Sequence, residues 1–235
     1  MKQAAKLVTS FAVLAVLISV AAVHGAGSEA ALTKKEMASF TRSGSSSRAT
    51  TLVPQAPRPT TPESLQLLPN GDFEQGQTVW TVFSLNGWDI IMDSGFPDGV
   101  LPYGGSWLTW LGGDDDEVSY IEQELTVPAG AFGLTYWHWI ASFDECGFDF
   151  AWVKVDGVII DQYDLCTAED TGTWVLHEVD IAAYAGQTVT LRIQVDTDDA
   201  DNSNLFVDDV SFDILPIFGD GFESGDTSAW STTTP

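Results

Sequence analysis

Carboxylates are the chemistry this sequence holds in excess. Its 235 residues carry 34 Asp and Glu against 9 Lys and Arg. Apart from Glu29, Glu36 and Glu63, every acid lies from Leu67 onward, where Lys154 and Arg192 are the only bases, so that stretch has a formal charge of −29. Two readings follow. One is solubility in a salty medium. The other is bound calcium, which takes carboxylate and carbonyl oxygens and would offset the self-repulsion of so negative a chain. Asp114-Asp115-Asp116-Glu117 and the loop Asp196–Asn202 are acid-rich enough to hold an ion, though neither has EF-hand spacing. Nucleic acid and anionic membrane are excluded as partners, because both are recognised through basic patches.

Catalytic groups are scarce. Beyond His24 the histidines are His138 and His177, and neither an H-E-x-x-H nor a G-x-S-x-G pattern occurs. Two carboxylates at a suitable distance suffice for glycoside hydrolysis, but with acids this abundant no pair stands out. The expectation is a noncatalytic protein with no catalytic residues. His138, between Trp137 and Trp139, reads as a hydrogen-bonded structural histidine.

Period-two alternation governs the elements that must position these groups. In Thr188–Asp196, Val189, Leu191, Ile193 and Val195 share one face and Thr190, Arg192 and Gln194 the other. Glu117–Val127 alternates likewise, and Phe148–Val155 runs through the hairpin signal Asp156-Gly157 into Val158–Gln162. Val79–Ser84, Trp88–Asp93, Ser106–Leu111, Leu134–Ser142, Thr173–Ile181 and Leu205–Ile214 are further strands. The pattern predicts an all-β fold, a two-sheet antiparallel β-sandwich of jelly-roll type. Most of Trp107, Trp110, Trp137, Trp139, Trp152 and Trp174 are expected in its core. Trp152 is the exception: it shares a face with Lys154, opposite Val153 and Val155. Tyr120, Trp152, Lys154, Arg192 and Gln194 therefore point outward, and on neighbouring strands they would give flat rings beside hydrogen-bond donors, as a sugar surface requires.

The amino-terminal end sets the compartment. Lys2 and Lys6 precede an apolar run from Leu7 to Val23 and small residues to Ala26, the layout of a signal peptide over 1–26. A membrane anchor is the alternative, but a spanning helix needs roughly 20 predominantly apolar residues, and this run is shorter and contains Thr9, Ser10 and Ser19. A secreted protein with no membrane insertion after cleavage is expected. Residues 27–66, rich in Ser, Thr and Pro, read as a flexible linker, 67–215 as the sandwich and 216–235 as a tail. In an exported chain the lone pair Cys146 and Cys166 reads as a disulfide. Phe73-Glu74-Gln75-Gly76 is echoed by Phe222-Glu223-Ser224-Gly225.

Several segments resemble known families. "LLPNGDFEQG" and "LFVDDVSF" are similar to the opening and closing strands of galactose-binding-like and carbohydrate-binding-module jelly rolls. "IEQELTVPAG", "CGFDFAWVKVDG" and "YAGQTVTLRIQVDTD" resemble MAM-like modules of secreted bacterial proteins, and "DGFESGDTSAWS" resembles a short carboxy-terminal signature of such proteins. The resemblance covers 67–214 and implies a structural calcium joining the first strand to the last. Carried over by position, its ligands are Glu74 and Asp208, with Asp72 and Asp209 beside them. It implies a secreted, noncatalytic module that binds polysaccharide or cell-surface glycan or acts in adhesion. A carboxylate-based hydrolase and a protein-interaction module stand as alternatives.

Overall fold

The computed structural model describes Arg42 and residues 68–214. The expected signal peptide, the rest of the linker, the tail and the second Phe-Glu-Ser-Gly motif lie outside the described residues.

Ten strands follow one another: β1 Thr81–Ser84, β2 Ile91–Met92, β3 Leu108–Gly112, β4 Val118–Thr126, β5 Ala131–Ser142, β6 Phe150–Val155, β7 Val158–Asp164, β8 Val175–Asp180, β9 Thr188–Asp196 and β10 Ser203–Ile214. Among the described residues a single 3-10 turn, Ala182–Tyr184, is the one helical element. The strands form two five-stranded sheets, ordered β1-β4-β9-β6-β7 and β2-β3-β10-β5-β8. All neighbours are antiparallel. The all-β two-sheet sandwich is the class that the alternation predicts. β3 to β10 pass between the sheets so that consecutive strands rarely pair. An exception is the β6–β7 hairpin, where Asp156 and Gly157 both take positive φ, 50° and 80°, as a two-residue turn requires.

The main core lies between the sheets. Ile121, Val153, Val155, Leu191, Ile193 and Val195 enter it from the first sheet, and Leu111, Leu134, Tyr136, Ile140, Leu205 and Val207 from the second. The segment before β1 plugs one end with Leu68, Phe73 and Trp80. Asn70 builds that plug: its amide Nδ2 donates to Gly76 O and Thr78 O, each at 2.9 Å, and its Oδ1 accepts Gln75 N at 3.0 Å. Gly71 is obligatory there, because a Cβ would lie 2.0 Å from Val210 O. This packing accounts for Asn70, Gly71 and Phe73 of the Asn-Gly-Asp-Phe-Glu motif.

The tryptophans correct the sequence reading. Trp110 is buried, but not between the sheets; it packs with Leu108 and Phe206 in a second, smaller core against Trp139, Trp174 and Phe96. Trp110 and Trp139 both pair in register with Phe206, on the face of the second sheet opposite Val207. Trp137 lies on the same face, stacked on Tyr103 at 4.0 Å. The β2–β3 connection thus covers the outer face of this sheet, which is why both of its faces are apolar.

Arg42 docks on the sandwich. Its Nε donates to Gly112 O at 3.0 Å, its guanidinium also donates to Asp89 O at 2.7 Å and to Trp110 O, and its backbone N–H donates to Gly113 O at 2.8 Å. Cys146 and Cys166 are joined in a disulfide. A covalent link closing a loop of this length stabilises a fold by about 3 kcal/mol.

Candidate functional site

The five outward residues of the sequence reading come together on the first sheet. Antiparallel register places Phe83, Tyr120, Gln194, Trp152 and Gln162 in one row across β1, β4, β9, β6 and β7. The adjacent row holds Thr81, Glu122, Arg192, Lys154 and Ile159. Residues opposite these positions (Ile121, Ile193 and Val153) are fully buried, so the rows face away from the core.

β9 carries a polar stripe along the middle of this face. Arg192 Nε donates to Glu122 Oε2 at 2.6 Å, and Gln194 Nε2 donates to Asp196 Oδ1 at 2.7 Å. Lys154 Nζ donates to Gln194 Oε1 at 2.9 Å. Aromatic pairs border the stripe: Phe83 stacks on Tyr120 with centroids 5.2 Å apart, and Phe150 on Trp152 at 6.0 Å. Strands two ladders apart are separated by about 10 Å, so two aromatic borders flank a polar channel. The cations lie against the rings: Arg192 is 3.9 Å from the Tyr120 centroid and Lys154 is 4.8 Å from that of Trp152. Burial and the neighbouring Arg192 draw the Lys154 ammonium down, while Asp196 opposes them. Trp152 Nε1 is covered and lacks a hydrogen-bond partner. Phe83, Phe150 and Glu122 were missed from sequence, although Phe150 shares the Trp152 and Lys154 periodicity.

The carboxylates of Glu74 and Asp208 reach one loop from two sides. Glu74 Oε1 accepts Ser106 N at 2.7 Å and Trp107 N at 2.9 Å. Its carboxylate fills the place where Gly105, at φ +61°, would carry a Cβ. Asp208 Oδ2 accepts Gly104 N at 3.0 Å and its Oδ1 accepts Asp209 N at 2.7 Å. Asp208 is fully buried in β10, the middle strand of its sheet, and desolvation pushes its carboxyl up to about 8. Asp209 sits at positive φ, 50°, where the β10 register shifts. Such a bulge re-aims side chains; here Val207 and Val210 both face the main core. Asp72 is half-buried in the preceding turn.

A different acidic set was missed as a group. Asp144, Asp149 and Asp198 each offer a carboxylate oxygen, all within 4.8 Å of one another, and they are the one such trio of metal-ligating side chains among the described residues. In contrast, Glu117 accepts Ser84 Oγ and Asn86 N, and Asp114 accepts Trp88 Nε1.

The histidines lie between the sheets at their β7–β8 edge. His177 Nε2 is 2.7 Å from Asp161 Oδ2. His138 has a buried Nδ1 with no hydrogen-bond partner, in place of the satisfied histidine expected from sequence. It packs among aromatic rings, 5.5 Å from Tyr163 and 5.0 Å from His177. Desolvation, assisted by His177, lowers it to about 4, so it is neutral at pH 7.

No known protein family matches the chain, and no curated protein matches it. Among solved structures it is similar to a carbohydrate-binding module in complex with β-1,4-galactotriose, at 18% identity over 65% of this chain and 100% of that one, with a TM-score of 0.48. It is also similar to the K3 cleaved adhesin domain of Lys-gingipain from Porphyromonas gingivalis, at 18% identity over 61% and 96% of the two chains, with a TM-score of 0.42. A Stig cyclase from Fischerella sp. TAU gives 13% identity over 63% and 97%, also at 0.42. No helix among the described residues is long and apolar enough to cross a membrane.

Proposed function

We propose that this protein is a secreted, noncatalytic module that binds polysaccharide or cell-surface glycan through the outer face of the β1-β4-β9-β6-β7 sheet. The observation that carries the reading is the row Phe83, Tyr120, Gln194, Trp152, in which rings border a strand of polar side chains. Sugars present apolar C–H faces and hydroxyl edges, so rings with adjacent amide, guanidinium and carboxylate groups meet both. Tyr120, Trp152, Lys154, Arg192 and Gln194 are the contact residues in this reading, with Phe83 and Phe150 extending it.

Calcium completes the proposal. Asp208 is a buried carboxylate that no ion pair reaches among the described residues, and an unneutralised buried charge is costly. All-oxygen donors of this kind fit a hard cation. Asp208 and Glu74 would hold it beside the loop at Gly104–Trp107, with Asp72 and Asp209 adjacent.

A glycan array probed with the full chain tests the binding reading. Wild-type protein is expected to bind and release no reducing ends. Trp152→Ala is expected to weaken retention at least tenfold with nearly unchanged melting temperature. A silent array, or equal binding by wild type and variant, would overturn it, and steady release of reducing ends would instead establish a hydrolase.

A further inference from the structure

We propose that Asp144, Asp149 and Asp198 form a second calcium site, one that fastens the disulfide-bearing turn after β5 to the loop between β9 and β10. Two of these carboxylates are out of water, Asp149 at 0% and Asp144 at 8% exposure. In each the Oδ2 atom is buried without a hydrogen-bond partner.

The other oxygens are already fixed. Asp144 Oδ1 accepts Glu145 N at 2.7 Å, Asp149 Oδ1 accepts Asp198 N at 2.8 Å, and Asp198 Oδ1 accepts Ala200 N at 3.0 Å. These bonds orient the carboxylates and leave the second oxygens of Asp144 and Asp149 unanswered. Three acids so close repel one another, and no ion pair relieves them among the described residues. A buried carboxylate lacking a counter-charge is strongly destabilising, so a bound cation is the simplest compensation.

Strand phase makes the same point. Asp149 continues the inward series Ala151, Val153, Val155, a place where an aliphatic side chain would otherwise fit. The donors are oxygens alone, a set that suits calcium, magnesium or manganese rather than the softer zinc or copper. Calcium tolerates the irregular geometry of ligands drawn from two loops better than magnesium, which demands a near-ideal octahedron. The surroundings are anchored independently: Thr167 N donates to Asp144 O and Leu165 N to Asp149 O, both at 2.9 Å, and the Cys146–Cys166 bridge ties the same two segments. The ion would also steady one end of the sheet face described above, since Phe150 and Asp196 pair directly beside it.

Isothermal titration of calcium chloride into chelator-stripped full chain, at fixed ionic strength, tests this site separately from Glu74 and Asp208. Asp149→Asn and Asp198→Asn are each expected to bind one calcium fewer per chain than wild type, or to weaken that step at least tenfold, while Asp208→Asn retains it. If Asp149→Asn does not fold by circular dichroism, the more exposed Asp198→Asn decides. The proposal is overturned if wild type binds no calcium, or if Asp149→Asn and Asp198→Asn titrate as wild type does. Failure of the Glu74 and Asp208 reading alone would show as a wild-type titration by Asp208→Asn.

Discussion

The guanidinium of Arg42 lies 4.1 Å from the centroid of the Trp110 ring, while its N–H groups reach the carbonyls of Asp89, Trp110 and Gly112. Burial draws this arginine down to about 10, against the opposing pull of Glu117, Asp89 and Asp114, so it keeps its charge at neutral pH. Hydrogen bonds from a charged donor are worth roughly 1.5–3 kcal/mol each, and their loss leaves acceptors buried. Arg42→Ala is therefore expected to destabilise the domain by about 3 kcal/mol in urea titration. Unchanged stability would show that the contact contributes nothing.

Metal removal should be visible at the Asp208 end. Chelation is expected to lower the wild-type melting temperature, and added calcium to restore it, at constant ionic strength so that screening is held fixed. Asp208→Asn should show a smaller calcium response than wild type, because it removes a ligand oxygen. Gly105→Ala should shrink the same response, since its Cβ would fall 2.2 Å from the Glu74 carboxylate. Identical melting with chelator and with calcium would contradict this.

His138 predicts a pH dependence whose sign is fixed. Its folded value, about 4, lies below the ordinary 6.5, so the unfolded chain binds the proton more readily. Stability is unaffected above 6.5 and is lost as pH falls from about 6.5 to about 4, by about 3 kcal/mol in all. Asp149 and Asp170, raised by burial to about 6, act in the opposite sense, so the effect must be read as a difference. His177, Asp161, Tyr136 and Tyr163 surround the ring. His138→Phe gives up no hydrogen bond at Nδ1 and should gain stability relative to wild type between pH 6.5 and 4. A constant difference across that range would mean that His138 is not held neutral by burial.

The sandwich is legible in the sequence because alternation reports directly which face meets the core. Thr188–Asp196 appears as β9 with unchanged bounds, and the outward position of Trp152 follows from Val153 and Val155. Alternation cannot say which of two apolar faces points inward, so it does not separate Trp137 and Trp139 from residues of the main core. They lie on a face made apolar by the β2–β3 connection. Asp149 had a legible signal, an acid in phase with Ala151 and Val153, and Asp144 lies in the same β5–β6 connection, but Asp198 comes from the distant β9–β10 loop. Arg42 left no trace, because its hydrogen bonds are to backbone carbonyls 47 to 70 residues away, which no side-chain pattern encodes.

The docking of Arg42 has a mechanical consequence. A pull applied to the chain upstream of residue 42 is borne by the Arg42 contacts before it reaches the folded strands. Twenty-five residues separate Arg42 from Leu68, and a chain of that length spans at most about 85–90 Å when fully extended.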